Sequence, residues 1–350
     1  MFEGEELRRY SRQIILPEIG LPGQEKLKNA KVLMIGAGGL GCPVLQYLTA
    51  AGLGEIGIVD DDVVDLSNLH RQILYTTADK GRSKADVAKE KLKLLNPYVN
   101  ITAYNERFTS DNALGICKHY DLVIDGSDNF GTRYLVNDTC VALNKPLVFG
   151  SIFKFEGHVA VFNYQDGPNY RDVFPEAPPD DEVPNCAETG VLGVLPGIIG
   201  AYMANEAIKM ICGIGETLSG KLMTINALDN TTSVFKVGKQ QKKAKSLDTN
   251  ISEPVPATHP EITMDELNNW LTGSRGEVQL VDVRETYEFE DYNIGGINLP
   301  LYELKEHIGL LPQNKKLVFC CQTGQRSKMA IQLIKALYQG QMYSLKNGII

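Results

Sequence analysis

Short apolar runs alternate with stretches of helical spacing along the first 150 residues of the chain. The runs predict β-strands at 31–35, 55–59, 99–104, 121–124 and 146–149, and the helical spacing predicts helices at 42–51, 83–95 and 132–143. Strands that alternate with helices are typical of a mostly parallel sheet with helices on both faces. The pattern therefore predicts a Rossmann-like doubly wound α/β domain.

Two further segments extend this domain. Strand-like alternation predicts a strand at 157–164, and residues 191–211 are apolar at helical spacing, which predicts a buried helix. Between them, residues 165–185 form a long predicted loop that contains five prolines. Loops of this length inside a domain are uncommon unless they have a function.

A polar segment, basic at its start, divides the chain near residue 240. We interpret residues 241–257 as a linker. The sequence beyond it predicts a helix at 261–271, strands at 278–282 and 316–320, and a helix at 328–338. We therefore expect one domain at 1–240 and a second, smaller α/β domain at 258–350.

The composition is that of an ordinary globular protein, with 43% hydrophobic and 22% charged residues among 350. A net charge of −8 gives no general attraction to nucleic acid, and no apolar run reaches the roughly 18 residues that a membrane span requires. The sequence begins without the basic and apolar regions of a secretory signal, and its seven cysteines have no disulfide-framework spacing. We therefore expect a cytoplasmic protein with reduced thiols that binds neither nucleic acid nor membrane.

A glycine-rich turn, Gly36-x-Gly38-x-x-Gly41, lies between the first predicted strand and the first predicted helix. Glycines let the backbone turn sharply and approach a phosphate, while the amino terminus of the helix offers amides and positive potential. Asp60 follows the next strand, where a carboxylate accepts hydrogen bonds from ribose hydroxyls. Taken alone, these residues favour an NAD-dependent oxidoreductase.

Charged residues near the other strand ends change this interpretation. Arg71 lies just beyond the second strand, and Lys84 begins the next predicted helix. Two cations beside a phosphate cradle suit a triphosphate, because the leaving pyrophosphate needs neutralisation. Asp128 follows the fourth strand, in Asp125-Gly-Ser-Asp-Asn, where its carboxylate is placed to hold Mg²⁺ against the phosphates.

In these motifs the chain resembles the ThiF/MoeB/HesA family, the bacterial relatives of ubiquitin-activating enzymes. The resemblance extends from residue 8 to about residue 237. It implies that the chain adenylates the C-terminal glycine of a ubiquitin-like sulfur carrier protein, with ATP and Mg²⁺. The nucleotide-binding residues that it implies are Gly36, Gly38, Gly39, Gly41, Asp60, Asp62, Ser67, Asn68, Leu69, His70, Arg71, Gln72, Lys84, Asp128, Asn129 and Arg12.

The resemblance also implies individual roles. Asp60 would bind the ribose, Arg71 and Lys84 the phosphates, and Asp128 the metal ion. Arg12 matches the arginine that reaches the ATP site of the partner subunit, which implies a homodimer. The attacking carboxylate is already a nucleophile and needs no general base, so positioning and charge stabilisation are expected to supply most of the rate.

Two cysteines are candidates for sulfur chemistry. Cys186, in Asn185-Cys-Ala-Glu-Thr-Gly, matches the family's cysteine that can form a thioester or persulfide linkage with the activated carrier. Cys321 follows a predicted strand, and Gly324 and Arg326 open the helix after it. A ring of backbone amides around such a sulfur stabilises a thiolate or a bound persulfide anion. Cys186, Cys321 and Arg326 are therefore predicted catalytic residues, together with Arg71, Lys84 and Asp128.

The segment around Cys321 resembles a rhodanese, or sulfurtransferase, domain over residues 258–350. The segments Asp282-Val-Arg-Glu and Gly295-Gly-Ile-Asn-Leu-Pro share this resemblance. Tyrosine phosphatases use a related loop, but they usually have one more residue between the cysteine and the arginine. Cys320 belongs to the predicted strand, where we expect a packed apolar thiol.

These motifs predict an adenylyltransferase and sulfurtransferase. The first domain would make the acyl-adenylate, and the second, charged as a persulfide by an outside donor such as a cysteine desulfurase, would supply sulfur for a thiocarboxylate. Molybdenum cofactor biosynthesis is preferred over thiamine biosynthesis and tRNA thiolation from the overall resemblance. Two alternatives are an NAD-dependent oxidoreductase with a fused regulatory domain and a non-catalytic partner-binding protein.

The chain departs from the family in its zinc motif. Members usually carry two Cys-x-x-Cys pairs that bind a structural zinc ion. Here the first pair would fall at Asn169 and Asp172, and no second pair follows Asp229. Thiolates supply most of the affinity of such sites, so the sequence predicts no structural zinc.

We predict that the purified protein contains less than about 0.1 zinc per chain, because the thiolate ligands of a structural site are missing. Elemental analysis of protein purified without a metal-binding tag measures this content. About one zinc per chain, retained against a mild chelator, would mean that other ligands have replaced the cysteines.

Overall fold

The computed structural model describes residues 4–176, 190–239 and 260–349, apart from 274–275, 302, 305–306, 323, 336 and 339. The chain divides into two compact units, residues 1–245 and 246–350. The linker interpreted at 241–257 lies outside the described residues, so the domain limits of 240 and 258 stay predictions. The two units are considered separately below.

The first unit is built on one sheet, in which the described strands follow the order β3-β2-β1-β4-β5-β6-β7-β8. Strands β1 to β5 are parallel, and β6, β7 and β8 continue the sheet in antiparallel pairing. The order reverses between β1 and β4, which is where open α/β sheets bind ligands. The strands are β1 Lys31–Ile35, β2 Glu55–Val59, β3 Asn100–Tyr104, β4 Leu122–Asp125, β5 Leu147–Phe153, β6 Glu156–Phe162, β7 Lys221–Asn226 and β8 Thr231–Lys236.

Helices cover both faces of this sheet. Helices α2, α3, α4 and α8 contribute to one core layer, and α5, α6 and α7 contribute to the layer on the other face. The doubly wound α/β fold predicted from the sequence is therefore confirmed. The helices are α1 Gly4–Ile14, α2 Gly20–Asn29, α3 Gly41–Ala51, α4 Lys84–Leu95, α5 Ala113–Cys117, α6 Phe130–Ala142, α7 Tyr170–Val173 and α8 Leu195–Cys212.

The second unit has a parallel sheet of its own, in the strand order β11-β10-β12-β13-β9. Two buried apolar layers, one on each face, pack against it. Trp270 closes one layer, with its ring 4.9 Å from that of Tyr343 in an edge-to-face contact. The elements are β9 Glu261–Ile262, α9 Met264–Gly273, β10 Val278–Asp282, α10 Thr286–Asp291, β11 Ile297–Asn298, β12 Lys316–Cys320, α11 Gln325–Ile334 and β13 Met342–Leu345.

Three predicted helices differ from the structure by three residues or more at one end. The helix expected at 261–271 begins only at Met264, because Glu261 and Ile262 pair with β13 as a strand. Thr263 then starts the helix, accepting a hydrogen bond from the Glu266 amide at 3.3 Å while its own amide donates to the Glu266 carboxylate at 2.7 Å. The helix expected at 328–338 spans Gln325–Ile334, and the one expected at 191–211 spans Leu195–Cys212.

The long loop expected at 165–185 contains a short helix, α7, and residues 177–185 lie outside the described part of the chain. Helices α1 and α2 and the hairpin of β7 and β8 are elements that the sequence pattern did not predict. Among the helices that the structure describes, none is both long enough and apolar enough to cross a bilayer.

Candidate functional site

The glycine-rich turn joins β1 to α3 at the point where the strand order reverses. Gly36 has a φ of +87°, a conformation that favours glycine. A Cβ atom on Gly41 would lie 2.1 Å from the Gly36 carbonyl oxygen, and one on Gly39 would lie 3.2 Å from Pro196 of α8. The glycines therefore let the turn close over the amino terminus of α3, the arrangement that accepts a phosphate.

Asp60 links the end of β2 to this turn. Its Oδ2 accepts a hydrogen bond from the Ala37 amide at 2.7 Å, and its Oδ1 accepts one from the Asp62 amide at 2.9 Å. Burial raises the pKa of Asp60, against the opposing effect of the Lys84 charge. Each carboxylate oxygen keeps a lone pair, so a ribose hydroxyl remains a possible donor.

Two cations lie beside the turn. Lys84, only 4% exposed at the start of α4, donates to Asp62 Oδ2 at 2.7 Å. Arg71 donates from Nη1 to the Ser67 carbonyl at 3.2 Å, and its Cγ lies 3.6 Å from where a Gly39 Cβ would be. Fixed cations at this position neutralise a bound triphosphate.

The segment 65–72 holds Arg71 in place. Asp65 caps a short 3₁₀ turn by accepting hydrogen bonds from the Ser67 amide at 2.8 Å and from its hydroxyl at 2.5 Å. His70 Nδ1 lies 2.9 Å from the Ser67 carbonyl. Gln72 is buried, with its Nε2 near Gly38 and its Oε1 without a hydrogen-bond partner among the described residues. Asn68 and Leu69 complete this segment, and both are half-buried.

The loop after β4 packs directly on the glycine turn. A Cβ on Gly36 would lie 3.1 Å from the Gly126 carbonyl oxygen. Asp128 is exposed in this loop, and Asn129 caps α6 by accepting a hydrogen bond from the Thr132 amide at 2.9 Å. The structure thus brings together the predicted nucleotide residues at one edge of the sheet, with Arg12 as the exception.

Arg12 lies elsewhere within this chain. It is exposed in the last turn of α1. That helix contacts the carboxyl end of α4, where Arg9 donates to the Leu95 carbonyl at 3.0 Å and Tyr10 accepts from Asn96 at 2.8 Å. Lys84 begins the same helix, about 17 Å away along its axis.

The second unit holds Cys321 in a loop where one backbone amide and one hydroxyl contact its sulfur. Its Sγ accepts a hydrogen bond from the Gly324 amide at 3.2 Å and lies 3.8 Å from the Ser327 hydroxyl. Ser327 in turn donates to the Gly324 carbonyl at 2.9 Å. The Ile349 amide donates to the Cys321 carbonyl at 3.0 Å, so two segments fix this residue. Cys321 is 1% exposed.

Arg326 forms a two-point ion pair with Glu288 of α10. Its Nη1 and Nη2 donate to the two carboxylate oxygens at 2.6 and 2.7 Å. Burial acts to raise the pKa of Glu288, but the hydrogen bonds and charge of Arg326 prevail and hold it below the usual value. The positive charge of Arg326 is therefore partly neutralised by the Glu288 carboxylate. The role of Arg326 in stabilising a persulfide on Cys321 stays a prediction.

Cys320 is a buried strand residue, as expected from the sequence. Burial raises the pKa of its thiol, first of all, and the nearby Asp282 carboxylate adds to this rise. A thiol of this kind is a poor nucleophile. Cys321 is therefore the better candidate of the two.

Cys186 lies outside the described residues, but the segment that leads towards it is firmly attached to α6. The Tyr134 hydroxyl donates to the Phe174 carbonyl at 3.0 Å, and the Tyr170 amide donates to Asn137 Oδ1 at 2.8 Å. At the positions of the family's first cysteine pair, Asn169 and Asp172 form a capping box around α7 instead. The absence of structural zinc stays a prediction.

Three residues of these sites were not predicted from the sequence. Asp125 and Ser127 are buried around the Asp128 loop, and Arg133 donates from Nη2 to the Ser127 carbonyl at 3.2 Å. The available signal was a single arginine one turn after Asn129, at the start of a predicted helix that continues with Tyr134, Leu135 and Val136.

Comparison with known proteins agrees with this arrangement. The ThiF family model matches residues 10–247, more than half of the chain. The chain belongs to the ThiF family. The model of the rhodanese-like domain matches residues 263–349, which lie within the second unit. Membership of both confirms the resemblances found in the sequence.

Several relatives share most of the length of this ThiF-family chain. A probable adenylyltransferase/sulfurtransferase MoeZ of Mycobacterium tuberculosis is 43% identical over 99% of the chain and 92% of that protein. A probable molybdopterin-synthase adenylyltransferase of Porphyra purpurea is 44% identical over 95% of the chain and 89% of that protein. A sulfur carrier protein adenylyltransferase of Thermus thermophilus is 57% identical over 64% of the chain and 85% of that protein.

Solved structures support the fold of the ThiF-family unit. E. coli MccB, crystallised with ATP, covers 66% of the chain with a TM-score of 0.58 and 23% identity, over 71% of its own length. At this identity the likeness concerns the fold alone. The two domain matches and the relatives show that the chain is an enzyme of the adenylyltransferase and sulfurtransferase class, as predicted.

We predict that Glu288→Ala destabilises the rhodanese-like unit by about 2 kcal/mol, because the half-buried Arg326 guanidinium loses its carboxylate partner. The measurement is urea unfolding of the full chain followed by the fluorescence of Trp270, the single tryptophan, which lies in this unit. Glu290→Ala, at an exposed position of the same helix, is the matched control and should unfold like wild type. Equal free energies of unfolding for the two variants would mean that the ion pair contributes nothing to stability.

Proposed function

We propose that this enzyme adenylates the C-terminal glycine of a ubiquitin-like sulfur carrier protein with ATP, and then converts the acyl-adenylate to a thiocarboxylate. The observation that carries the proposal is the presence, in one chain, of a glycine cradle with fixed cations and of a buried cysteine whose sulfur accepts a hydrogen bond from the Gly324 amide and lies near the Ser327 hydroxyl. The names of the relatives support it, since one is a sulfur carrier protein adenylyltransferase and others combine both activities.

In the first step, a carboxylate oxygen of the carrier attacks the α-phosphorus of ATP, and the bond to the bridging oxygen of pyrophosphate breaks. Both reactants are anions, so the charges of Lys84 and Arg71 lower the barrier to their approach. Asp60 orients the nucleoside through the ribose. The glycine turn lets the backbone approach the phosphates closely. A Cβ on Gly41 would prevent this turn, because it would overlap the Gly36 carbonyl oxygen.

Asp128 fits the requirement of a magnesium site. Mg²⁺ in nucleotide sites is held by one or two carboxylates together with substrate phosphates, and Asp128 offers an exposed carboxylate beside the glycine turn. When bound, the ion supplies positive charge to the leaving pyrophosphate. Asn129, next in the chain, holds the loop by capping α6.

In the second step, sulfur enters through Cys321. Its thiolate attacks the outer sulfur of a donor persulfide, the donor S–S bond breaks, and the electron pair leaves with the donor thiolate. The new persulfide anion, stabilised by the Gly324 amide, attacks the acyl carbon of the adenylate and displaces AMP. A thiol of an external reductant then attacks the Cys321 sulfur and releases the carrier thiocarboxylate, and a second such thiol reduces the resulting disulfide. Cys186 keeps its proposed role as the cysteine that can form a thioester or persulfide linkage with the activated carrier.

For the pathway we propose molybdenum cofactor biosynthesis, with thiamine biosynthesis and tRNA thiolation as the alternatives. The names of two red algal relatives, both probable molybdopterin-synthase adenylyltransferases, support this choice. A cysteine desulfurase is the proposed sulfur donor. The described cysteines are all free, in keeping with a reducing cytoplasm.

We predict that two variants separate the two half-reactions. Asp128→Ala should abolish carrier-stimulated ATP–pyrophosphate exchange, because the metal-bound triphosphate loses its carboxylate ligand. Cys321→Ala should keep this exchange and lose thiocarboxylate formation, measured as the mass increase of the carrier. Cys320→Ala, which removes the neighbouring buried thiol, is the control and should retain both activities. Loss of exchange in Cys321→Ala, or exchange that depends on NAD, would disprove the proposal.

We predict that Arg12 completes the ATP site of a second subunit, since within its own chain it lies at the far end of α4 from Lys84. Arg12→Ala and Lys84→Ala proteins should each be inactive in exchange. Mixed in equal amounts, they should recover about a quarter of the wild-type rate, because half of the dimers are hybrid and each has one intact site. Inactive mixtures, with subunit exchange demonstrated by mass-labelled protein, would count against a shared site.

A further inference from the structure

The loop that carries Asp128 is short, and its ends are fixed by hydrogen bonds. Asp125 ends β4, is 1% exposed, and accepts a hydrogen bond from the Ser127 amide at 2.9 Å through Oδ1. Asn129 closes the other end as the cap of α6. Asp128 itself is exposed, so the position of its carboxylate depends on how the backbone on either side is held.

Arg133 holds this backbone from the core layer that α5, α6 and α7 cover. Its Nη2 donates to the Ser127 carbonyl at 3.2 Å, in the residue immediately before Asp128. Its guanidinium carbon lies 5.1 Å from the centre of the Phe130 ring and 5.7 Å from that of Phe149. Aromatic faces attract and orient a planar cation, so the direction of the hydrogen bond to Ser127 is constrained.

The cluster leaves hydrogen-bonding capacity unused. Burial raises the pKa of Asp125, against the opposing effect of the nearby Arg133 charge. Among the described residues, Asp125 Oδ2, Ser127 Oγ and Arg133 Nε are buried without a hydrogen-bond partner. Burial of unpaired polar atoms is unfavourable, and a cluster that served stability alone would be better filled by apolar side chains.

We propose that Arg133 is a positioning residue for the metal-bound nucleotide. By fixing the Ser127 carbonyl, it holds the loop so that the Asp128 carboxylate faces the metal ion. Mg²⁺ demands near-octahedral geometry with short bonds, so small displacements of a ligand weaken binding. The inference rests on the proposed function, in which Asp128 is the metal ligand, and it adds a residue that does not itself touch the nucleotide.

Calorimetric titration of the full chain with ATP tests this role, once with Mg²⁺ and once with EDTA. Arg133→Gln should weaken binding of Mg²⁺–ATP about tenfold and that of metal-free ATP less than about twofold, as expected for a residue that supports a metal ligand. Arg133→Lys keeps the charge but not the planar fork, and should weaken Mg²⁺–ATP binding by a smaller factor. A general loss of folding would weaken the binding of Mg²⁺–ATP and of metal-free ATP by the same factor.

Arg171→Gln is the matched control. Arg171 also lies over an aromatic ring of this layer, 4.6 Å from the centre of Tyr134, but it pairs with Asp138 at 2.7 Å. Both dissociation constants should stay at their wild-type values in this variant. If Arg133→Gln does not fold, the dissociation constants of Arg133→Lys for Mg²⁺–ATP and for metal-free ATP provide the test instead.

The outcomes distinguish this inference from the proposed function. A wild-type affinity that does not depend on Mg²⁺ would remove the metal role of Asp128 and the inference with it. A clear dependence in wild type, with both constants unchanged or equally weakened in the Arg133 variants, would make Arg133 a structural residue only. The proposed adenylation would then stand without it.

Discussion

The nucleotide site depends on three glycines whose backbones approach one another more closely than side chains would permit. A Cβ on Gly41 would overlap the carbonyl oxygen of Gly36, and one on Gly36 would press on the carbonyl of Gly126. One on Gly126 would lie 2.6 Å from the Met34 side chain. This contact places the turn that accepts phosphates against the loop that carries Asp128. The carboxylates and cations at the other strand ends are useful only because these two backbone segments meet.

The two sites of the chain stabilise anions in different ways. The proposed adenylation site offers the cationic side chains of Lys84, which pairs with Asp62, and of Arg71 to a triphosphate that concentrates several negative charges. The proposed sulfur site offers Cys321 the Gly324 amide, while Arg326 is paired with Glu288. A thiolate or persulfide has a single diffuse charge, for which backbone dipoles in a buried loop suffice. Each site therefore matches the charge of the group that it is proposed to bind.

The parts of this structure that the sequence predicted are those set by local pattern. The strands at 31–35, 55–59, 278–282 and 316–320 were predicted with their observed limits, because each is a short, mostly apolar run with a charged residue at one of its ends. The contact between the Gly324 amide and the Cys321 sulfur also follows from local spacing, while the full ring of amides expected around this sulfur stays a prediction. Strand β8 gave no signal, because all its residues are exposed and no alternation results.

The parts that the sequence did not predict are set by contacts between distant residues. Arg326 and Glu288 lie 38 positions apart, and nothing in either segment indicates that they pair. Arg133 belongs to the helix after its loop, yet its aromatic partner Phe149 comes from β5. Such pairings depend on the way the sheet and its helices pack, which periodicity does not encode.

The capping box of Asn169 and Asp172 has a consequence for the chemistry that this enzyme handles. Persulfides and polysulfides exchange with thiolates, including those that bind metal ions. Such exchange would slowly damage a structural zinc site whose ligands are cysteines. Here the corresponding position is closed by reciprocal hydrogen bonds between an amide side chain and a carboxylate. Neither group reacts with sulfane sulfur. At this position, therefore, the fold offers no thiolate to the persulfide that the rhodanese-like unit is proposed to carry.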